Sequence, residues 1–584
     1  MPTPLDTQTL TGGDLIARTL RAAGVKTVFA LHGGHLEALL KGCIEEGIDL
    51  VDFRHEAAAG HAADAYARTT GELGVCVVTA GPGFTNAVSA IANAHLDGSS
   101  VLFILGAPPL REVETNPLQG GIDQIATVRP MVKWALSAPA TERLPDLTAM
   151  AIRHALTGRR GPVVLEAPID VLHMSVPAAL ATRPTGLNVR PRPAPSPGEA
   201  SRLVELMRAA RRPVVIAGMQ AVADRSGPAL LEFAEATQVP VFAKTQALGL
   251  LPSEHPLAGG AAGNLAMLQA TGGERPDLVI LLGARLGLFL GGRSGAIVPD
   301  NARVVQVCAD AGEIGRLRDV DLAIEADCAE ALRATLTAAG ANGFPDYGDW
   351  PARAVSTRTL FGRAYPDRDA PGGVHPYHAA AAVAEIGGPG AVYVMDGGEA
   401  ASWAGACIRP DGPGRVLSHG YLGCLGTGPG FAIGAQLAHP DRRVIHITGD
   451  GAMGFHIQEF DTMVRHKLPI VTVVMNNQVW GMSIHGQQIM FGRNYSVITR
   501  LGITRYADIA GAFGCHGERV ETYDQIAPAM RRALDSGKPA LVEIMTDPDV
   551  IHPITLSMLG QPAESGADVV IPYYENIPSP EPAR

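Results

Sequence analysis

Short apolar runs recur along the chain, and each ends at glycine or at a polar residue. Val444–Ile447 runs into Gly449-Asp450-Gly451, and Ile470–Met475 runs into Asn476-Asn477. The stretch between them has helical spacing. It therefore predicts a β-α-β unit with an acid and an amide at the carboxyl ends of two parallel strands. The same rhythm fills the N-terminal third. Asp14–Ala23 is spaced as a helix. Thr27–Leu31 ends at His32-Gly33-Gly34-His35, Leu50–Phe53 at Arg54-His55-Glu56, Val75–Thr79 at Ala80-Gly81-Pro82-Gly83, and Val101–Leu105 at Gly106. Pro162–Ala167 closes that block. Val214–Ala217, Val239–Ala243, Leu278–Leu282 and Val304–Val307 form a second set, and Val392–Met395 and Ala540–Ile544 complete a third. Near-continuous apolar strands alternating with helices predict parallel sheets covered on both faces.

The expected fold is α/β, with three doubly wound parallel-sheet domains at 1–182, 198–340 and 375–560. Proline-rich Arg183–Pro197 and the aperiodic Gly340–Pro376 read as linkers. Residues 561–584 place Tyr573, Tyr574 and Ile577 among prolines, just after Val569-Val570-Ile571. A solvated tail rarely carries that density of apolar residues, so this segment reads as a tail strapped over the protein or as a lid.

Composition narrows the classes. A chain of 584 residues accommodates about three or four domains of ~150 residues. With 46% hydrophobic and 18% charged residues, it can bury a large core and is not a disordered chain. The net charge of −11 is spread out with no basic stripe, which argues against a nucleic-acid partner. Seven scattered cysteines without CxxC spacing suggest neither a disulfide framework nor a zinc site. The first 20 residues lack the pattern of a secretory signal, and no uncharged apolar run reaches ~20 residues. A cytoplasmic protein without a membrane partner is expected.

Ligands of open α/β sheets bind at the carboxyl ends of strands. Asp450, the Asn477 side-chain oxygen and a backbone carbonyl just beyond it offer the oxygen ligands that Mg²⁺ takes while bridging diphosphate oxygens. Neighbouring glycines let backbone N–H groups approach phosphates. Glu56 stands where a strand gives way to an alanine-rich helix. It either caps that helix or is a buried acid with chemistry to perform. The small residues Ala57–Gly60 and Ala62 permit close approach of something flat or of another helix. No GxGxxG follows the first strand, which disfavours a nicotinamide dehydrogenase.

RHE at 54–56, TAGPGFTNAVSAIANAHLD at 79–97, and GDG with the later NN resemble the three signatures of thiamine-diphosphate (ThDP) enzymes of the acetolactate synthase/pyruvate decarboxylase type. The likeness runs along nearly the whole chain, in the order pyrimidine-binding, middle and diphosphate-binding domain. LHGGH at 31–35, RHEAAAGHAADAYAR at 54–68, ETNPLQGGIDQ at 114–124, HGYLGCLG at 419–426 and FDTMVRHKLPIVTVVMNNQVWG at 460–481 are most similar to benzaldehyde lyase, with 2-hydroxyacyl-CoA lyase as a related branch.

The resemblance implies ThDP and Mg²⁺ as cofactors. It implies Glu56 as the acid against N1′ of the aminopyrimidine, and Asp450, Asn477 and the Val479 carbonyl as Mg²⁺ ligands. Leu425 would be the apolar wedge that bends the cofactor. Gly81, Asn86, Gly397, Gly449, Gly451, Ala452, Trp480 and Gly481 would complete the cofactor site. His35 and Gln119 match residues around the substrate oxygen, and His32 shares their loop. Neutral groups suit a C2-carbanion/enamine intermediate, which a strong acid would quench.

The implied activity is cleavage or formation of 2-hydroxy ketones or 2-hydroxyacyl-CoA thioesters, with aldehydes as partners. An acetolactate synthase-like carboligase decarboxylating 2-oxo acids is the alternative, and a non-catalytic protein of this fold a remote one. Cofactor sharing between the first domain of one chain and the third of another implies a homodimer or homotetramer. Departures bear on the pocket: Gly34 and Met482 stand where benzaldehyde lyase has alanine, and Pro108-Pro109 and Pro117 reshape the substrate loop. Val304–Val307 ends in Cys308-Ala309-Asp310, where nucleotide-binding relatives carry an acid at the first position. FAD is not expected, while Asp310 leaves room for an ADP or CoA moiety.

Overall fold

The computed structural model describes residues 9–115, 118–181, 184, 187, 190–292 and 295–555. The expectations for Pro117 and 561–584 lie outside the described residues. The chain divides into two compact units: one gathers residues up to Pro191 with His419–Pro440 and His456–Leu468, and the other takes the remainder.

The first unit is built on a six-stranded sheet of β1 (Thr27–Ala30), β2 (Asp49–Asp52), β3 (Gly74–Val78), β4 (Val101–Ala107), β5 (Trp134–Ser137) and β6 (Val163–Pro168). Their order is β2-β1-β3-β4-β6-β5, and every pairing is parallel. All seven residues of β4 are buried, as a strand covered on both faces requires.

The second unit holds two sheets. One contains β7 (Pro213–Ala217), β8 (Val241–Ala243), β9 (Ala258–Ala261), β10 (Leu278–Leu282), β11 (Arg303–Cys308) and β12 (Leu322–Glu325). Its order, β9-β8-β7-β10-β11-β12, is that of dinucleotide-binding sheets. The other contains β13 (Val392–Met395), β14 (Val416–Ser418), β15 (Val444–Gly449), β16 (Val471–Asn476), β17 (His516–Val520) and β18 (Ala540–Met545), in the order β14-β13-β15-β16-β18-β17. Strand for strand this repeats the first sheet, so the two are architectural copies although their sequences show no repeat.

Five of the six edge strands, β5, β9, β12, β14 and β17, were not marked by the apolar pattern. Each is short, and sequences such as Ala258-Gly-Gly-Ala and His516-Gly-Glu-Arg-Val lack a continuous apolar run, because an edge strand is covered on fewer sides. The interval Gly340–Pro376 is not a plain linker. It contains helices at Trp350–Ser356 and Leu360–Arg363. Buried Trp350 donates from Nε1 to the Pro213 carbonyl at 2.9 Å, and the Tyr347 hydroxyl donates to the Met207 carbonyl at 3.0 Å. Two large aromatic anchors, too far apart to show a period, strap this interval onto the second sheet's core.

Seven helices carry or flank candidate residues in one unit or the other: α1 (Glu56–Thr70), α2 (Pro82–Asp97), α3 (Glu399–Cys407), α4 (Thr427–Ala438), α5 (Asp450–His456), α6 (Glu459–Arg465) and α7 (Gly481–Phe491). In the first unit the small residues of α1 receive α4. A methyl on Gly430 would lie 2.5 Å from the Ala58 carbonyl oxygen, and one on Gly434 only 2.2 Å from that of Ala62. The backbones are therefore nearly in contact. Behind them Arg68, on the last turn of α1, is buried between Asp64 at 2.5 Å and Asp97 at 2.9 Å. Asp97 in turn accepts from the Tyr421 backbone N–H at 3.2 Å, which ties the 419–426 loop to the helix that begins with Glu56. Among the described residues no helix is long and apolar enough to cross a membrane.

Candidate active site

In the first unit, the loops after β1, β3 and β4 converge. Gly33 lets the chain pass against Thr79, whose Cβ would be 2.4 Å from a methyl there. The half-buried His35 ring then meets Thr79, Nδ1 to Oγ1, at 3.2 Å. Burial, helped by the neighbouring His173, holds the His35 pKa below its ordinary value, so the ring is neutral near pH 7. Gly81 has φ +62°, and a methyl on it would lie 3.0 Å from Gln119 Cα. Gln119 itself sits at φ +57°, in a left-handed conformation that costs a non-glycine residue energy and is common at functional sites. Gln124 clamps this corner: it accepts from the Gly81 N–H at 3.0 Å and donates to the Gly106 carbonyl at 3.0 Å and to Glu166 at 2.7 Å.

Glu56 is buried at the first position of α1, 7% exposed. It does not cap the helix. His55 does, accepting the Ala57 N–H on Nδ1 at 3.1 Å. The Glu56 carboxylate is instead held by the Asn86 amide at 2.9 Å, close to bare Gly83. The structure thus brings His35, Thr79, Gly81 and Gln119 to one group of strand ends, and joins Glu56 to Asn86. His32 is not part of either: its exposed ring pairs with Glu37 at 2.9 Å. Leu425 is half-buried in the 419–426 loop, next to Gly426, whose carbonyl accepts from His456 Nδ1 at 2.7 Å.

In the second unit, the loops after β13, β15 and β16 converge. Gly397 has φ +92°, and a methyl there would lie 3.4 Å from the Gly449 N and 3.5 Å from the Ala452 Cβ. A methyl on Gly451 would strike the Trp480 ring at 2.5 Å. The face of Trp480 is thus laid against a bare backbone, with Phe455 edge-on at 6.3 Å. Asp450 is 3% exposed, and burial pushes its carboxyl up to about 7 despite backbone N–H donors from Gly451 and Gln478. Tyr506 donates to the Asp450 carbonyl at 2.8 Å.

The two asparagines divide their work. Asn476 is structural, donating to buried Glu543 at 2.7 Å. Asn477 folds back to accept the Val479 N–H at 3.2 Å, across Gln478 at φ +60°. Trp480 N–H donates to Thr499, and Leu501 N–H to Gln478, both at 2.8 Å. Val479 lies between these bonds, so its own carbonyl is left out of the bridge.

The Asp450 carboxylate, the Asn477 amide oxygen and the Val479 carbonyl are all oxygen donors, the chemistry that Mg²⁺ takes rather than zinc. Among the described residues no three His, Cys, Asp or Glu side chains gather as a metal site. The glycine-lined cradle at 397, 449 and 451 suits a diphosphate. Thr79, Gln124, Tyr506 and Glu399 were not anticipated. Thr79 and Gln124 lie at the ends of the motifs 79–97 and 114–124, but a lone hydroxyl or amide gives no pattern that assigns it a role.

Comparison with known proteins places the chain in a family. The model of the N-terminal TPP binding domain of thiamine pyrophosphate enzymes matches residues 10–127, the central-domain model 200–335 and the C-terminal TPP binding domain 396–544. A "Probable acetolactate synthase" of Mycobacterium bovis is 35% identical over 557 residues, covering 94% of this chain and 97% of the relative. A "2-hydroxyacyl-CoA lyase 2" of Homo sapiens is 31% identical over 577 residues, covering 91% and 90%. A "Probable acetolactate synthase large subunit" of Methanocaldococcus jannaschii is 28% identical over 587 residues, covering 97% and 98%.

Proposed function

The chain belongs to the thiamine pyrophosphate enzyme family, and we propose that within it the protein is a Mg²⁺-dependent carbon–carbon lyase or carboligase. Its substrates would be 2-hydroxy ketones or 2-hydroxyacyl-CoA thioesters. The observation that carries this reading is Glu56: a buried carboxylate at a helix start, released from capping by His55 and steadied by Asn86. When bound, ThDP supplies a nucleophilic carbon that adds to a carbonyl and allows the bond to the adjacent carbon to break.

This chain's residues would do the rest. Glu56 holds the proton at N1′ of the aminopyrimidine, which shifts proton affinity across that ring. Gly81 and Asn86 would border it, and Leu425 would give the cofactor apolar support. Asp450, Asn477 and the Val479 carbonyl would hold Mg²⁺, while Gly397, Gly449, Gly451, Ala452, Trp480 and Gly481 would line the diphosphate site. His35, kept neutral and oriented through Thr79, and Gln119 hydrogen-bond the substrate oxygen without protonating its carbon. His32, turned to Glu37, would act on substrate only after leaving that pair.

A second reading, carboligation of 2-oxo acids, is supported by the names of the acetolactate synthase relatives. Turnover of benzoin, acetoin, pyruvate and a 2-hydroxyacyl-CoA side by side separates the two. Aldehyde release from a hydroxy ketone or acyl-CoA supports the lyase. Acetolactate from pyruvate without lyase activity overturns it. We further propose a homodimer or homotetramer, which light scattering tests; a fully active monomer would contradict it.

A further inference from the structure

Glu399, the first residue of α3, is buried, 7% exposed. It follows Gly397-Gly398 directly, yet its carboxylate serves groups remote in sequence. His485 of α7, almost wholly buried, places Nδ1 2.9 Å from one oxygen and 3.0 Å from the other. The Thr555 hydroxyl donates to Oε1 at 2.6 Å, and the His552 N–H reaches the same oxygen at 3.4 Å. The other ring nitrogen of His485 is 2.8 Å from the Pro548 carbonyl. Both neighbours of the imidazole are acceptors, so both nitrogens donate and the ring is a cation. The side chain of His552 then packs edge-on against Trp403 of α3, ring centroids 4.3 Å apart.

One buried carboxylate therefore gathers three pieces: the loop after β13, the helix after β16, and the segment 548–555. The link to the metal loop is direct. A methyl on Gly481 would lie 3.2 Å from Glu399 Oε2 and 3.2 Å from Asn477 Nδ2. Only a bare backbone separates the Glu399–His485 pair from Asn477. A buried ion pair of this kind contributes little net stability but strongly penalises loss of one partner. Its effect is to fix arrangement.

We infer that Glu399 is a positioning residue that couples docking of residues 548–555 to the cofactor loops at Gly397-Gly398 and Asn477–Gly481. The inference rests on the function proposed above. By linkage, a cofactor that orders those loops must tighten the docking of 548–555, and docking must tighten cofactor binding by the same factor.

The test is hydrogen–deuterium exchange of the full chain, with and without ThDP and Mg²⁺, beside calorimetric cofactor titration. In the wild type, cofactor should slow exchange across 549–555 about tenfold or more. Glu399→Gln keeps an acceptor for Thr555 but loses the charge opposite His485. It should speed exchange at 549–555 in the cofactor-free protein, leave β15 and β16 protected, and weaken ThDP binding about tenfold. Glu399→Asp should recover part of both effects. Thr555→Val, which leaves the ion pair intact, should loosen 549–555 and weaken ThDP binding to a smaller, matching degree. Thr555→Val with loosened exchange but unchanged ThDP affinity would overturn the coupling, as would wild-type exchange and affinity in Glu399→Gln. Failure of the wild type to bind ThDP would instead refute the function on which the inference stands.

Discussion

Replacing Gly434 by alanine tests whether the Glu56 helix is placed by backbone contact with α4. The new methyl would sit 2.2 Å from the Ala62 carbonyl oxygen, 2.9 Å from its carbon and 3.0 Å from Ala62 Cα. All three are backbone atoms, so no side chain can rotate away. Ordinary contact needs about 3.4 Å or more, and the helices must part by roughly 1 Å. Overpacking of this kind costs about 1–3 kcal/mol, and the upper end applies because backbone must move. The better helix propensity of alanine returns up to about 1 kcal/mol. A net loss of about 2 kcal/mol lowers Tm by about 4–8 °C for a unit of this size. Gly511→Ala is the control: it lies in the helix Tyr506–Ala512, and a methyl there meets nothing within 4 Å, so Tm should hold or rise. Differential scanning calorimetry on both variants decides it. A Gly434→Ala protein melting within about 1 °C of wild type would refute the close-packed α1–α4 contact.

Arg68→Met should cost about 3–5 kcal/mol, because it leaves Asp64 and Asp97 buried without their cation; urea unfolding measures it, and restoring stability with Asp64→Asn and Asp97→Asn added would confirm the cause. Glu459 is fully buried, and burial pushes its carboxyl up to about 7. Its folded pKa exceeds the unfolded one, so its contribution is fully present below about pH 4.5 and is lost as pH rises through 7, at up to about 1.4 kcal/mol per pH unit. Urea midpoints at pH 5 and 8 should therefore fall for the wild type relative to Glu459→Gln, and parallel pH profiles would contradict this. Asp450→Ala and Asn477→Ala should each weaken ThDP–Mg²⁺ binding by calorimetry beyond the about 10–100-fold typical of losing a mere supporting partner; unchanged affinity in both would make the loop structural only.

The central strands were legible because both their faces are buried and their sequences are almost wholly apolar. β3, β4, β7, β10, β15 and β16 all stand out in this way. Edge strands such as β17 carry charged residues and gave no signal. The glycine–acid–glycine and paired-asparagine turns marked two loops of the candidate site, and the structure separates the two asparagines: one braces Glu543, the other turns back to the Val479 N–H. The sequence could not show that His55 relieves Glu56 of capping, that His32 turns to Glu37, or that Glu399 meets His485 and Thr555, 86 and 156 positions away. Such pairings depend on tertiary placement and have no local period.

Under the proposed function, Glu56 should govern proton exchange on bound ThDP. Glu56→Gln is nearly isosteric, keeps a partner for Asn86, and cannot take up the N1′ proton. Hydrogen–deuterium exchange at C2 of bound ThDP, followed by quenched-flow and NMR, reads the step directly and independently of substrate. Exchange should be slowed by orders of magnitude in Glu56→Gln, with ThDP affinity and Tm near wild type. Exchange at the wild-type rate in that variant would contradict it.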